Sequence, residues 1–266
     1  MKFSDNDLQV LTNFSEINDN IKFRKGKIIL TRDPHKSILA QYQLNTTITE
    51  DFCLYSLSEF LNFYDLYENP TISIKQEILN QYTKENYKKI IIKDKRFTTE
   101  YCCCDEKLLD TPTKERIPIF NKILDYQLNF HLSKNDIKDI NRIKSKISLD
   151  KLNGIIFENQ NGNINIKLEH FSQRWTSRTN NNQISFFLSN DSFLKNKTNH
   201  KFKFLLSSEN FKKILIGDYN VEYLTSPTNK KDSLLKLTSM SLPLTYWIAI
   251  EKGCDLDTVE EVITNA

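Results

Sequence analysis

Apolar residues recur at helical spacing in four short stretches of this chain and alternate at strand spacing almost everywhere else. Leu8, Leu11 and Phe14 predict a helix over Asp5–Ile17, with Ser4 as its N-cap and Asp5 and Asp7 favourable in the first turn. Ile21–Arg24 and Lys27–Thr31 read as short strands joined around Gly26 in a hairpin, followed by strands at Ser37–Leu44 and Phe52–Tyr55. Ser58 is expected to cap a second helix reaching Tyr67, with Phe60, Leu61 and Tyr64 facing inward. Strands follow at Thr71–Ile74, Lys89–Lys93 and Phe97–Cys104.

The stretch 105–117 (DEKLLDTPTKERI) is charged, holds a proline and has no periodicity, as a linker would. Beyond it Leu124, Tyr126, Leu128 and Phe130 alternate with Asp125, Gln127 and Asn129, a half-buried strand. Ser133 then caps a helix to Lys146 with Ile137, Ile140, Ile143 and Ile147 inward. Gly154–Glu158 and Asn163–Leu168 form a hairpin across Asn161-Gly162. Ile184–Leu188, Phe202–Leu206, Tyr219–Leu224, Leu234–Thr238 and Leu244–Ile250 read as strands, and Ser208–Leu215 as a helix.

These elements occur twice in the same order. Phe3-Ser4-Asp5-Asn6-Asp7-Leu8 returns as Leu132-Ser133-Lys134-Asn135-Asp136-Ile137, an offset of 129, and Phe52–Phe60 returns as Phe202–Phe211, starting 150 residues on. The growing offset requires insertions, placed in the polar stretches Arg178–Gln183 and Asn190–His200. Such a repeat predicts two similar α+β domains, each with two helices and seven or eight strands. The expected boundaries are 1–104 for the first domain, 105–117 for the linker, 118–255 for the second domain and 256–266 for a tail.

Composition narrows the class without naming a chemistry. The 39% hydrophobic and 27% charged residues of this 266-residue chain are those of a folded, soluble protein. No apolar run reaches the roughly 18 residues of a membrane span, and Met1-Lys2 does not open a signal peptide, so a cytoplasmic location and no membrane partner are expected. Five cysteines, Cys53, Cys102, Cys103, Cys104 and Cys254, make neither a disulfide framework nor zinc spacing. They read as small buried or strand-edge residues, with a redox or metal role as the alternative.

A net charge of +3 does not announce a nucleic-acid binder, so placement of the charges decides. Lys134, Lys138 and Arg142 recur at i, i+4 and i+8, drifting only about 80° around a helix axis, with the isoleucines opposite. Lys212 and Lys213 add to this on the next helix. The row can neutralise phosphates without reading bases, although any surface helix shows a solvated polar face. The first copy has Asp5, Gln9 and Asn13 at the equivalent positions, and Glu59, Asn62 and Asp65 on its second helix.

Catalytic signatures are missing. The five glycines form no phosphate loop, and His35, His131, His170 and His200 belong to no metal motif. Asp5/Asp7 and Asp255/Asp257 resemble metal pairs, but read better as helix N-terminal charge and a solvated tail. No enzyme, cofactor or metal is expected.

Leu11-Thr12-Asn13-Phe14-Ser15-Glu16-Ile17-Asn18, Lys25-Gly26-Lys27-Ile28-Ile29-Leu30-Thr31-Arg32 and Leu54-Tyr55-Ser56-Leu57-Ser58-Glu59-Phe60-Leu61 resemble the first domain of the bacteriophage sliding clamps. Asn161–Ile166 and Gly217–Leu224 resemble the second domain. The resemblance implies the DNA-clamp fold, with two helices packed on antiparallel sheets in each domain. It also implies a homotrimeric ring that encircles duplex DNA whatever its sequence and tethers the replicative DNA polymerase. Further implied partners are an ATP-driven clamp loader and, in some phages, late-transcription factors, in the cytoplasm of an infected bacterial host. By the same analogy Phe97, Tyr101 and Cys103 pair between subunits with Ile184, Phe186 and Leu188. Partner peptides dock near Leu108, Leu109, Tyr246, Trp247 and Ile248, which otherwise read as ordinary core. The chain departs from the pattern in longer stretches at Arg178–His200 and Tyr82–Lys95, in the tail Leu256–Ala266, and in its weakly basic first copy. Two other readings are a nuclease or DNA-modifying enzyme on a duplicated α+β scaffold, and a monomeric interaction module.

Overall fold

The computed structural model describes residues 1–80, 85–112, 125–146, 152–160, 163–170, 183–189, 203–225 and 233–251. The chain divides into two units, Met1–Ile117 with Leu242–Leu244, and Pro118–Ser241 with Thr245–Ala266. The hairpin turn at Asn161-Gly162, Ile147, Leu124, His200, Cys254, the acidic pair Asp255/Asp257 and the tail fall outside the described residues.

The first unit begins on helix α1 (Asp5–Ile17). Ser4 caps it: its hydroxyl accepts the Asp7 amide at 3.2 Å while the Asp7 carboxylate accepts the Ser4 amide at 3.0 Å. Asp7 is nevertheless fully buried, which first-turn charge alone does not explain. Its carboxylate also accepts the Tyr42 hydroxyl at 3.0 Å and the Asn45 amide at 2.9 Å, fastening the helix end to a strand. Val10, Leu11, Phe14 and Ile17 are the buried apolar side of α1.

Strands β1 (Ile21–Phe23), β2 (Gly26–Arg32), β3 (Ile38–Ile48) and β4 (Phe52–Leu54) follow. The hairpin expected around Gly26 does not form: β1 pairs antiparallel with β4, and β2 with β3. Gly26 has φ of 116°, a left-handed value natural only to glycine, and turns the chain from one sheet into the other. Helix α2 (Leu57–Asp65) is capped by Ser56, not by Ser58, because the Ser56 hydroxyl accepts the Glu59 amide. Leu57, Phe60 and Tyr64 point inward, with Leu61 only half-buried. Strands β5 (Thr71–Asn80), β6 (Glu85–Lys93) and β7 (Thr98–Cys102) form an antiparallel sheet with β7 at one edge. The N-terminus joins β5 through reciprocal backbone bonds between Met1 and Ile72.

The second unit repeats this plan. It comprises β8 (Asp125–Leu132), α3 (Lys134–Lys146), β9 (Gly154–Gln160), β10 (Asn163–Glu169), β11 (Ile184–Phe187) and β12 (Lys203–Ser207). Helix α4 (Ser208–Lys212), β13 (Tyr219–Thr225), β14 (Ser233–Ser239) and β15 (Leu244–Ala249) complete it. One sheet runs β11-β10-β9-β12, and β15-β14-β13-β8 follow one another in a second. Helix α4 is shorter than the Ser208–Leu215 expectation.

Ser133 and Asp136 reproduce the Ser4–Asp7 device. Asp136, 3% exposed, accepts the Ser133 hydroxyl at 2.6 Å, the Ser189 amide at 3.0 Å and the Ser189 hydroxyl at 2.8 Å. A second structural repeat is aromatic: Phe23 stacks on its cross-strand neighbour Phe52 at 4.6 Å, and Phe157 on its neighbour Phe204 at 5.1 Å. Phe52 therefore corresponds to Phe204, two residues beyond the Phe202 that sequence alone pairs with it.

Removing the Asp7 carboxylate strands two buried or half-buried donors and the Ser4 amide. Asp7→Ala is expected to lower the unfolding free energy by about 3 kcal/mol, against less than about 1 kcal/mol for the exposed Asp5→Ala, as read by urea denaturation.

Candidate nucleic-acid interface

Helix α3 carries an apolar and a basic side, as its spacing requires. Ile137 and Ile140 are fully buried, Ile143 is half-buried, and Lys134, Lys138 and Arg142 are exposed. Asp218 accepts the Lys134 backbone amide at 2.8 Å, so the loop before β13 helps hold the start of this row. Arg142 pairs with Asp139 at 3.0 Å. Both partners are largely exposed, so the pair is weak and gives way readily to a phosphate. Lys212, the last residue of α4, is exposed, and the C-cap Lys213 is half-buried.

One lysine of α3 was not legible as special. Lys144 is only 4% exposed, and its ammonium donates to the Ser208 carbonyl at the start of α4. Burial first, then the nearby Lys212 charge, lowers its pKa from 10.5 to about 8, while Glu209 works the other way. Its place one residue past Ile143 falls outside the i, i+4, i+8 row, which is the only signal the sequence offers.

The helices of the first unit lack this character. Neither α1 nor α2 contains a lysine or arginine, and Asp5, Glu16, Glu59 and Asp65 are exposed. Asn13, the counterpart of Arg142, is 6% exposed and does not face solvent. An open cleft of about 300 Å³ lies between α1 and α2, lined in part by Thr12, Ser15, Ser58 and Asn62.

The residues expected at subunit contacts divide by face. Phe97, just before β7, is 56% exposed. Tyr101 instead turns into its own unit, edge-on to Phe60 and Phe63, and its hydroxyl donates to the Ser56 carbonyl at 3.0 Å and to Glu59 at 2.9 Å. Cys103 is half-buried, and its amide continues the ladder to the Lys88 carbonyl. On edge strand β11, Ile184 and Phe186 lie opposite the buried Leu168 and Ile166, and Leu188 is also half-buried. Phe187, absent from the sequence expectation, is the exposed aromatic of that edge at 56%.

Leu108 sits in a single 3-10 turn (Glu106–Leu108) and is 66% exposed, with Leu109 half-buried beside it. Lys22 pairs with Glu106 at 2.5 Å, Arg24 donates to the Pro112 carbonyl at 2.9 Å, and Arg32 pairs with Asp110, fastening this stretch to the first unit. Tyr246, Trp247 and Ile248 are buried in β15.

Other candidate chemistry resolves into structure. Burial pushes the Cys53 thiol up to about 11 and the Cys103 thiol to about 12, so both stay protonated and are poor nucleophiles. Cys102 is exposed and Cys104 half-buried, its amide bonded to the Cys53 carbonyl at 3.0 Å. His131 stands 3.9 Å from Asp218, and no group of three or more His, Cys, Asp or Glu among the described residues is placed to hold a metal ion. No described helix is long and apolar enough to cross a membrane.

Lysine linkage gives this site a pH signature. With its folded pKa below the unfolded value, Lys144 costs stability at neutral pH, and that cost is relieved as pH rises from about 8 towards 10.5. Lys144→Met is expected to lack this gain, about 2–3 kcal/mol, in denaturation curves compared across that window.

Residues 7–107 match the family model of the DNA polymerase processivity factors. The sliding clamp of Escherichia phage RB69 is 27% identical over 165 residues, 62% of this chain, and the chain spans 64% of that relative's length. Among solved structures, the proliferating cellular nuclear antigen of Entamoeba histolytica aligns with a TM-score of 0.56 at 8% identity over 92% of this chain and 94% of its own. That of Thermococcus kodakaraensis aligns with a TM-score of 0.56 at 12% identity over 92% and 95%. The chain thus has the DNA-clamp fold that the resemblance implied, and its residues 7–107 are similar to the DNA polymerase processivity factors.

Proposed function

We propose that this protein is a DNA polymerase sliding clamp whose role is topological and not catalytic. The observation that carries the reading is the clamp fold built twice, with a row of exposed cations on the helices of one copy only. Residues 1–104 and 118–255 each form one clamp domain, joined by 105–117. Three chains close into a ring around duplex DNA and tether the replicative polymerase in the infected bacterial host. Lys134, Lys138, Arg142, Lys212 and Lys213 meet phosphates. Such contacts are sequence-independent and exchangeable, as sliding requires.

Closure pairs edge strand β7 of one chain with edge strand β11 of the next. Joining two edges satisfies backbone groups that would otherwise invite aggregation. Phe97 and Phe187 are the apolar anchors of that contact, with Ile184, Phe186 and Leu188 supporting one edge from its inner side and Tyr101 and Cys103 the other. Leu108 and Leu109 present the apolar side chains for a polymerase, an ATP-driven clamp loader or a late-transcription factor. Tyr246, Trp247 and Ile248 are buried within β15, and the Tyr246 hydroxyl accepts the Leu215 amide at 3.3 Å, so the exposed apolar anchor in this reading is Leu108.

Light scattering on the full chain is expected to give three times the 31.4 kDa monomer mass, falling in Phe187→Asp. A clean monomer at high concentration would sink the reading. Neutralising Lys134, Lys138 and Arg142 to Gln together is expected to weaken retention on circular duplex equally for all sequences. The same variant should reduce the slope of log affinity against log salt by about 2–3. Unchanged retention would remove α3 from the DNA surface.

A further inference from the structure

We propose that Lys144 is the positioning residue that fixes the distance between the cation rows of α3 and α4, and that a duplex lying on those rows holds its buried amine in the charged form. The second half rests on the sliding-clamp reading above. The geometry of the first half is a strut. Helix α4 has five residues, and its N-cap Ser207 makes no side-chain capping bond. A helix this short cannot hold itself in place. Lys144 supplies a tether from α3, crossing to the carbonyl of Ser208, the first residue of α4.

The first unit supplies the contrast. The position equivalent to Lys144 is Ser15, whose hydroxyl turns back onto the Thr12 carbonyl of its own helix at 2.7 Å. There the space between the two helices is left as the open cleft of about 300 Å³. The strut occurs only in the copy that bears the cations.

Two charged groups face the Lys144 amine, and both come from α4. Burial is the main effect that disfavours its charged form; Lys212 adds to it and Glu209 opposes it. A phosphate settling on Lys212 cancels that repulsion and so stabilises the ammonium. By linkage, duplex binding takes up a proton here and weakens as the solution becomes alkaline.

The test is fluorescence anisotropy of a short labelled duplex with the full-length protein at low salt, from about pH 7 to about pH 9. Wild-type affinity is expected to fall roughly fivefold, the linkage for a tenfold change in the acid constant of one group. Lys144→Met should bind more weakly at the lower pH and show no fall. Lys144→Arg, charged throughout, should hold its affinity to the higher pH. Equal slopes in wild type and Lys144→Met would overturn the role of Lys144 alone. Should Lys144→Met not fold, a fall in Lys144→Arg matching the wild type overturns it as well. No salt-sensitive duplex binding by the wild type at either pH would overturn the clamp reading and this inference together.

Discussion

A buried carboxylate fastened across a helix N-terminus is the interaction on which each half of this molecule depends. Asp7 and Asp136 each stand three residues past a serine cap, and each is removed from water. A buried carboxylate without partners would be costly, and here its oxygens are taken up by backbone amides and hydroxyls. The same oxygens close the helix end and hold a distant strand: Asn45 and Tyr42 on β3 in one unit, Ser189 after β11 in the other. The helix dipole favours negative charge at that point, so one group meets several requirements together. The apolar sides of α1 and α3 then have a fixed orientation against their sheets.

Stacked aromatics provide the second fixed point. Phe23–Phe52 and Phe157–Phe204 are direct cross-strand neighbours in their respective sheets, with nearly parallel rings 13° and 12° apart. Helix anchor and aromatic pair together define a module that tolerates wide variation elsewhere. That tolerance is what lets the two copies diverge in charge. In one, Lys134, Lys138 and Arg142 ring the exposed side of a helix; in the other, the matching helix has no cation at all. In the proposed clamp, a ring sliding along duplex would gain nothing from a wall saturated with cations, because tight phosphate contacts would hold it in place.

Several features resisted reading because they depend on partners far away in sequence. Both Ser56 and Ser58 are acceptable caps, and the choice falls to Ser56 because it bonds the Glu59 amide while both hydroxyls share the carboxylate of Asp19. Strand β1 is adjacent to β2 in the chain yet takes β4 as its partner, a decision made at the positive-φ residue Gly26. Tyr101 alternates correctly for an exposed edge, but Phe60 and Phe63 on α2 supply an aromatic surface that draws it inward. Phe187 escaped notice because period-two alternation marks Ile184, Phe186 and Leu188 as the apolar side and says nothing of its neighbour.

The sequence by itself determined the duplication, the element order, the Ser-x-x-Asp helix starts and the basic row of α3. All of these are local patterns, set by the 3.6-residue and two-residue periods and by capping chemistry. Tertiary structure alone decided what each pattern was used for. It made Asp7 an anchor where local reasoning saw only helix-end charge. It turned Lys144 into a buried strut and left Lys138 in solvent, although both are lysines on one helix. Burial and long-range hydrogen bonding arise from residues tens of positions apart, and no local period encodes them.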